Sequence, residues 1–356
     1  MKVKLKEICT PKQWKTISTN ELRDSGYPVY GANGIIGYYN EYNHEVDTLL
    51  VTCRGATCGS LNISKGKAYV NGNAMALDDL RNDIDIKYLY YYLKCRGFKD
   101  VISGSAQPQI IRSSIEEIEV EIKNKEEQES IVSKCERIER LVNKIKKLQN
   151  HLDTLIKARF VEMFGKRMEN DEVMLSDIAE FVIGLTYKPE NVSKNGTIVL
   201  RSGNILNNSL QLKKDVVRVS DVSIPKNKYI KNNDILMCSR NGSARLVGKS
   251  CLISDVKEDM SFGAFMTVIR SEYPYFLQSF FSSQYFTRQL TSVATTSVNQ
   301  ITTYMLNGYK TIKPTDDEEN TFATFVKHID KLKFDVQKSL EKTQMLFDSL
   351  MQEYFG

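Results

Sequence analysis

What this sequence has little of narrows its chemistry. Its 356 residues include three histidines, His44, His151 and His328, none of them in a H-E-x-x-H pattern. The seven cysteines are odd in number and scattered, which fits reduced thiols rather than a disulfide framework. Cys53 and Cys58 have no second pair at metal spacing, so a zinc site is not expected. No Gly-x-Ser-x-Gly elbow is present, and nothing pairs a nucleophile with a base. No apolar run approaches the roughly 20 residues of a membrane span. The opening MKVKLKEICT lacks the apolar core of a signal peptide. The expectation is a cytoplasmic binding protein without catalytic machinery of its own.

Two glycine-rich strings do not change that expectation. Gly242-Ser-Ala-Arg-Leu-Val-Gly248-Lys249-Ser250 places five residues between its glycines where a phosphate-binding loop has four. Cys251 to Ser254 after it reads as strand rather than helix. Gly31-Ala-Asn-Gly34-Ile-Ile-Gly37 leads into Tyr38-Tyr39 and reads as a hairpin.

What is present is a balanced globular composition. Charged residues make up 26% and apolar residues 41%, enough for two or more domains with sizeable cores. The net charge of +5 permits nucleic acid as a partner without demanding it.

The dominant feature is a repeat. Lys125 to Gly165 and Asp316 to Gly356 share one plan and superpose without a gap, Glu127 meeting Glu318, Leu155 meeting Leu346, and Phe164-Gly165 meeting Phe355-Gly356. Neither stretch contains proline or an internal glycine. Ile131, Cys135, Ile138, Val142 and Ile145 form a 4-3-4-3 seam, which Leu148, Leu152 and Leu155 continue after one short step. Phe322, Phe325, Ile329, Leu332 and Val336 form its counterpart. This spacing predicts two coiled-coil helices, each ending at a glycine and each roughly 57 Å long. Each seam needs a partner, and the other helix is the obvious one.

The segments before the helices also correspond. Val3, Leu5 and Ile8 are echoed by Val173, Leu175 and Ile178, and Gly26 and Val29 by Gly196 and Val199. Leu49 to Arg54 is echoed by Ile235 to Arg240, Gly72 and Met75 by Gly263 and Met266, and Gln109-Ile110 by Gln300-Ile301. In the first segment, strands are expected over 27–31, 48–52, 68–70 and 74–77, with a turn at Arg54-Gly55 and a helix over 87–99. The fold class expected is α+β: two mixed α/β domains separated by two long helices that pair as an antiparallel coiled coil, with an internal pseudo-two-fold repeat. The expected boundaries are 1–124, a helix over 125–165, a polar linker over 166–172, a second domain over 173–315 and a helix over 316–356.

The polar residues point to nucleic acid. The first domain offers Lys12, Lys15, Arg54, Lys65, Lys67, Lys94, Arg96, Lys99 and Arg112. The second offers Arg201, Lys213, Lys214, Lys226, Lys228, Lys231, Arg240, Arg245 and Lys249. Such residues neutralise phosphates, while Arg, Gln and Asn can also read base edges. The segments Ser105-Ala-Gln107-Pro-Gln109 and Ser297-Val-Asn299-Gln300 fall at equivalent places. The residues chosen as DNA-facing are Arg54, Gln107, Gln109 and Arg112, and Arg240, Asn299 and Gln300.

This arrangement resembles the specificity (S) subunit of type I restriction–modification enzymes. The resemblance rests on Tyr30-Gly-Ala-Asn-Gly-Ile-Ile-Gly-Tyr38, on Gln109-Ile110, on Lys125-Glu-Glu-Gln-Glu-Ser-Ile-Val132 as an "EQ..IV" helix start, and on the Phe-Gly helix endings. In the second half Glu318-Glu319-Asn320 lacks that Gln, and the Gly-Ala-x-Gly string is absent. The resemblance implies two target-recognition domains, each reading one half-site of a bipartite, asymmetric sequence in double-stranded DNA, with the helices setting the spacing. It implies two methyltransferase (M) subunits using S-adenosylmethionine, endonuclease/translocase (R) subunits using ATP and magnesium where the system restricts, and no cofactor or metal in this chain. The competing readings are a DNA-binding or scaffolding coiled-coil protein of another defence system, and a coiled-coil interaction protein that binds no DNA.

Overall fold

The structure is a computed structural model and describes residues 1–104, 106–170, 172–212, 215–292 and 299–356, with Thr291 and Ser292 described by backbone alone. The chain divides into two compact units, Met1–Lys147 with Gln337–Gly356, and Leu148–Val336.

In the first unit the order is β1 (Lys2–Lys4), β2 (Thr10–Gln13), β3 (Tyr27–Gly31), β4 (Gly34–Tyr39), β5 (Leu49–Thr52), β6 (Leu61–Ile63), β7 (Tyr69–Val70), β8 (Ala74–Asp78), α1 (Ile86–Arg96), α2 (Arg112–Ile115) and β9 (Glu119–Glu121). Strands β2-β8-β5-β6 form one sheet and β4-β3-β7 another. The apolar runs of β5 and β8 are buried on both faces, because alternate side chains enter different cores. Leu49, Val51, Met75 and Leu77 pack under α1, whereas Leu50, Ala74 and Ala76 meet Tyr30 and Val70 of the second sheet. The strands expected from sequence are found, as is the helix, shifted by one residue at its start and three at its end.

The long helix α3 (Lys125–Met168) passes from the first unit into the second. The second unit then runs β10 (Val173–Met174), β11 (Glu180–Ile183), β12 (Val192–Ser193), β13 (Thr197–Leu200), β14 (Ile205–Leu206), β15 (Ser209–Leu210), β16 (Val217–Val219), β17 (Ile235–Cys238), β18 (Ser250–Leu252), β19 (Met260–Phe262), β20 (Met266–Arg270), α4 (Pro274–Phe281), α5 (Gln284–Ser292), α6 (Thr303–Gly308), β21 (Lys310–Thr311) and α7 (Asp316–Phe355). Its sheet β11-β20-β17-β18 has the order of β2-β8-β5-β6. Val199 pairs in parallel with Ser261 as Val29 does with Tyr69. Gly26 and Gly196 sit at φ +129° and +109°, where a Cβ would stand 2.4 Å and 2.2 Å from a neighbouring carbonyl oxygen, so no larger residue fits either turn. The hairpin β14–β15 belongs to the second unit's longer stretch before β17.

One expected correspondence is off by a residue. Leu49 pairs with Leu77, and Ile235 pairs with Ile269, so Met266 takes the place of Ala74 rather than of Met75. The cores agree, since Met75 lies under α1 while Met266 lies in the opposite layer. A single-residue slip moves a side chain to the other face of a sheet.

The helices pair antiparallel. In the first unit Ile131, Val132 and Cys135 near the start of α3 pack with Phe347, Met351 and Phe355 near the end of α7. In the second, Asp153 meets Lys333 at 2.6 Å and Arg167 grips Glu318 at 2.7 and 3.0 Å, in reverse order along the two helices. Both helices open with a capping box, Asn124 with Glu127 and Thr315 with Glu318. The seam differs from expectation beyond Ile145. It keeps strict 3-4 alternation through Gln149 and Leu152 to Ile156 and then steps four residues to Phe160, leaving Leu148 and Leu155 exposed. On α7 Lys333 takes the seam position and Leu332 is exposed. The helix also continues past Gly165 to Met168. Gly165 is buried inside it, where a Cβ would come within 3.2 Å of the Tyr285 hydroxyl. Close packing rather than a cap explains this glycine, and residues 166–168 are helix rather than linker.

Candidate nucleic-acid interface

The chosen residues gather where a buried strand emerges into a hairpin loop. In the first unit β5 ends at Thr52 and the chain turns back at Gly59 to form β6. In the second β17 ends at Cys238 and the chain turns back at Gly248 to form β18, through a loop three residues longer. The Gly59 amide donates to the Thr52 carbonyl at 2.8 Å, and the Gly248 amide to the Cys238 carbonyl at 2.9 Å.

A second segment runs antiparallel beside each loop entry. The Ile110 amide donates to the Cys53 carbonyl at 3.0 Å, and the Gly55 amide to the Pro108 carbonyl at 3.0 Å. These bonds flank Arg54 and Gln109, which form a bridge without exchanging bonds themselves. That is the narrow type of antiparallel pair, in which the two side chains lie closest. The second unit repeats it. The Ile301 amide donates to the Ser239 carbonyl at 2.7 Å, the Asn241 amide donates to the Asn299 carbonyl at 3.3 Å, and Arg240 bridges Gln300. Each unit therefore sets an arginine beside a glutamine on the same rung of the same ladder. Arg54, Gln109 and Arg240 are exposed and Gln300 half-buried.

The other chosen residues are placed less uniformly. Gln107 is exposed in the turn between Ser103 and Gln109, which bridge each other. Arg112 opens α2 and is exposed but paired with Glu116 at 2.6 Å. Asn299 is exposed, and its amide donates to the Gly242 carbonyl at 3.1 Å, tying the two segments together. Ser105, Lys213, Lys214, Ser297 and Val298 lie outside the described residues. Several basic residues are occupied within the fold: Lys94 pairs with Glu139 at 2.7 Å, Arg96 with Asp100 at 2.6 Å, and Lys228 donates to the Gly184 carbonyl at 2.9 Å.

Two residues that sequence reasoning passed over stand beside the arginines. The Cys53 amide donates to the Asn73 carbonyl at 3.2 Å and the Ser239 amide to the Phe265 carbonyl at 2.9 Å, which makes Asn73 and Phe265 equivalent. Both are exposed, and the Phe265 ring lies 5.4 Å from the Arg240 guanidinium carbon. An aromatic two residues after Gly263 was the available signal. The one-residue slip at β20 hid its pairing with Asn73.

The cysteines beside these loops are not poised for reaction. Burial pushes the thiols of Cys53 and Cys238 up, and that of Cys251 to about 12. Among the described residues no three His, Cys, Asp or Glu side chains converge in a way that could hold a metal ion. No helix among them is long and apolar enough to cross a membrane. The strand β18 follows Gly248-Lys249 directly, so the phosphate-loop-like string opens a strand rather than a helix.

Residues 1–153 match the family model of the type I restriction modification DNA specificity domain. Over 119 residues, 33% of this chain, the sequence is 29% identical to the type I restriction enzyme EcoprrI specificity subunit of Escherichia coli, of which the match spans 29%. In fold the chain is similar throughout its length to the type I restriction–modification system S subunit from M. genitalium. The TM-score is 0.61 at 15% identity, covering 96% of that chain. It is likewise similar to a chain from a structure concerned with complex assembly and conformational transition of the type I R-M system, with a TM-score of 0.57 at 13% identity and 97% of that chain covered. The resemblance to the specificity-subunit family is thereby borne out, in sequence over the first 153 residues and in fold over the whole chain.

Proposed function

We propose that this chain is the sequence-specific DNA-binding subunit of a type I restriction–modification complex. The observation that carries the reading is the matched pair of ladders, Arg54 beside Gln109 and Arg240 beside Gln300. Arginine bonds guanine through N7 and O6, and glutamine bonds adenine through N6 and N7, so each pair is equipped to read neighbouring base edges in the major groove. Each unit reads one half-site. The target is bipartite because there are two units, and asymmetric because their neighbouring side chains differ, Asn73 in one and Phe265 in the other. The paired helices fix the distance between half-sites.

Chemistry is left to partners. Two methyltransferase subunits bring S-adenosylmethionine and methylate an adenine that must leave the stack. Endonuclease/translocase subunits, where present, bring ATP and magnesium. This chain supplies recognition, with no cofactor of its own, and works in the cytoplasm.

Alanine at Arg54 and at Arg240 separates the two halves. In the assembled complex, each variant relaxes base preference at one half-site by about 1–3 kcal/mol and leaves the other intact. Binding to duplexes with single-base changes reads this out. Loss of affinity for all sequences alike, or both variants acting on one half-site, would overturn the assignment.

A further inference from the structure

We propose that Phe265 is a positioning residue for Arg240, a ring platform that aims the guanidinium at a guanine in the half-site read by the second unit. This rests on the recognition function proposed above and adds a base identity and a device for reading it.

The geometry has three parts. First, the Phe265 side chain is 59% exposed, so it is not there to fill a core. Second, the backbones are tied. The Phe265 carbonyl accepts from the amides of Ser239 and Arg240 at 2.9 and 3.1 Å and from the Ser239 hydroxyl at 3.1 Å. Third, the Arg240 guanidinium carbon lies 5.4 Å from the ring centroid, within cation–π range. No carboxylate or carbonyl among the described residues takes up the guanidinium donors. A guanidinium held by a ring keeps its edge donors free. A side chain otherwise free to swing is thus ordered without using the groups that would bond a base. The flat fork of donors that remains matches the N7 and O6 acceptors of guanine in the major groove.

The first unit lacks this device. Asn73 stands in the place of Phe265, so among the described residues no ring lies over Arg54, which has a polar neighbour instead. The effect of removing the ring is therefore confined to one half-site.

The test uses the chain assembled with its methyltransferase and a library of DNA duplexes randomised through both half-sites. Base preference at every position and the salt dependence of binding are measured. Phe265→Ala is expected to lower preference for guanine at one position by about two- to fivefold, the change expected from losing an exposed cation–π contact. The salt slope should stay unchanged, since no charge is removed. Phe265→Trp should keep the preference. Arg240→Lys, which keeps the charge but loses the fork, should abolish it at the same position. Should the alanine variant misfold, Phe265→Leu, with bulk but no ring, is expected to behave as Phe265→Ala should. The proposal is overturned if removing the ring weakens all sequences alike, if tryptophan fails to substitute, or if the affected position is not a guanine. A wild-type complex with no base preference at any position would instead overturn the recognition function itself.

Discussion

At the scale of single residues, the two halves solve one problem with different side chains. Gln128 is buried at the start of α3. Its carbonyl oxygen accepts from the Asp85 amide at 2.8 Å, and its amide donates to the carbonyls of Asp83 and Lys123. Glu319 occupies the matching place on α7, and its carboxylate accepts from the amides of Tyr275 and Phe276 at 2.9 and 3.1 Å. In sequence the missing Gln looks like a departure from the family pattern. In the structure Glu319 performs the same fastening at the start of α4, because an N-terminal helix turn offers donors that either side chain can satisfy. Glu319→Ala leaves two buried amides unpaired and should destabilise the second unit by about 2–4 kcal/mol in chemical denaturation. Burial raises the Glu319 carboxyl above its ordinary value of 4.5, although the two amides and Lys327 oppose the shift. The folded state then binds the proton more tightly than the unfolded one. The stability this group withholds at neutral pH is recovered as pH falls through the raised value toward 4.5. Wild type should therefore gain on Glu319→Gln as pH is lowered through that window. A difference that ignores pH, or moves the other way, would contradict the assignment.

At the scale of elements, periodicity revealed the two helices but not the whole course of their seam. Leu148, Leu155 and Leu332 look like seam residues because they are leucines near the right phase. Strict alternation passes instead through Gln149 and Lys333, and a polar residue at a seam position fixes register at some cost in stability. The repeated Phe-Gly endings were visible in sequence without a reason for the phenylalanine. Phe164 packs on Phe276 and Phe322 at ring distances of 4.9 and 5.5 Å, and Phe355 on Tyr88 and Tyr92 at 5.5 and 5.8 Å. Each ending thus docks a long helix onto the helical layer of a domain. Phe164→Ala should cost about 3–5 kcal/mol, seen in chemical denaturation and as lost amide protection around α4. A loss under about 1 kcal/mol would mean that these rings do not bear the docking. The two arginine–glutamine ladders lay at the limit of what sequence could offer. The equivalence of Arg54 with Arg240 and of Gln109 with Gln300 could be read from spacing. That each arginine faces its glutamine depends on backbone pairing across more than 50 residues, which no local pattern records.

At the scale of the whole molecule, the internal repeat was the most legible feature, because helix periodicity and buried strands survive even where surface side chains diverge. The halves differ in length mainly before β17, where the second unit adds the β14–β15 hairpin, and they also differ beside the two ladders, in the longer β17–β18 loop and the exchange of Asn73 for Phe265. A shared scaffold with unlike edges is what the proposed two-part, asymmetric target would require. The most direct measurement is single-molecule methylome sequencing of a host carrying this gene with its neighbouring methyltransferase, with and without the gene. The account predicts a gapped, bipartite adenine-methylation motif that disappears when the gene is removed. Methylation unchanged by its removal, with the methyltransferase shown to be expressed and active, would contradict it.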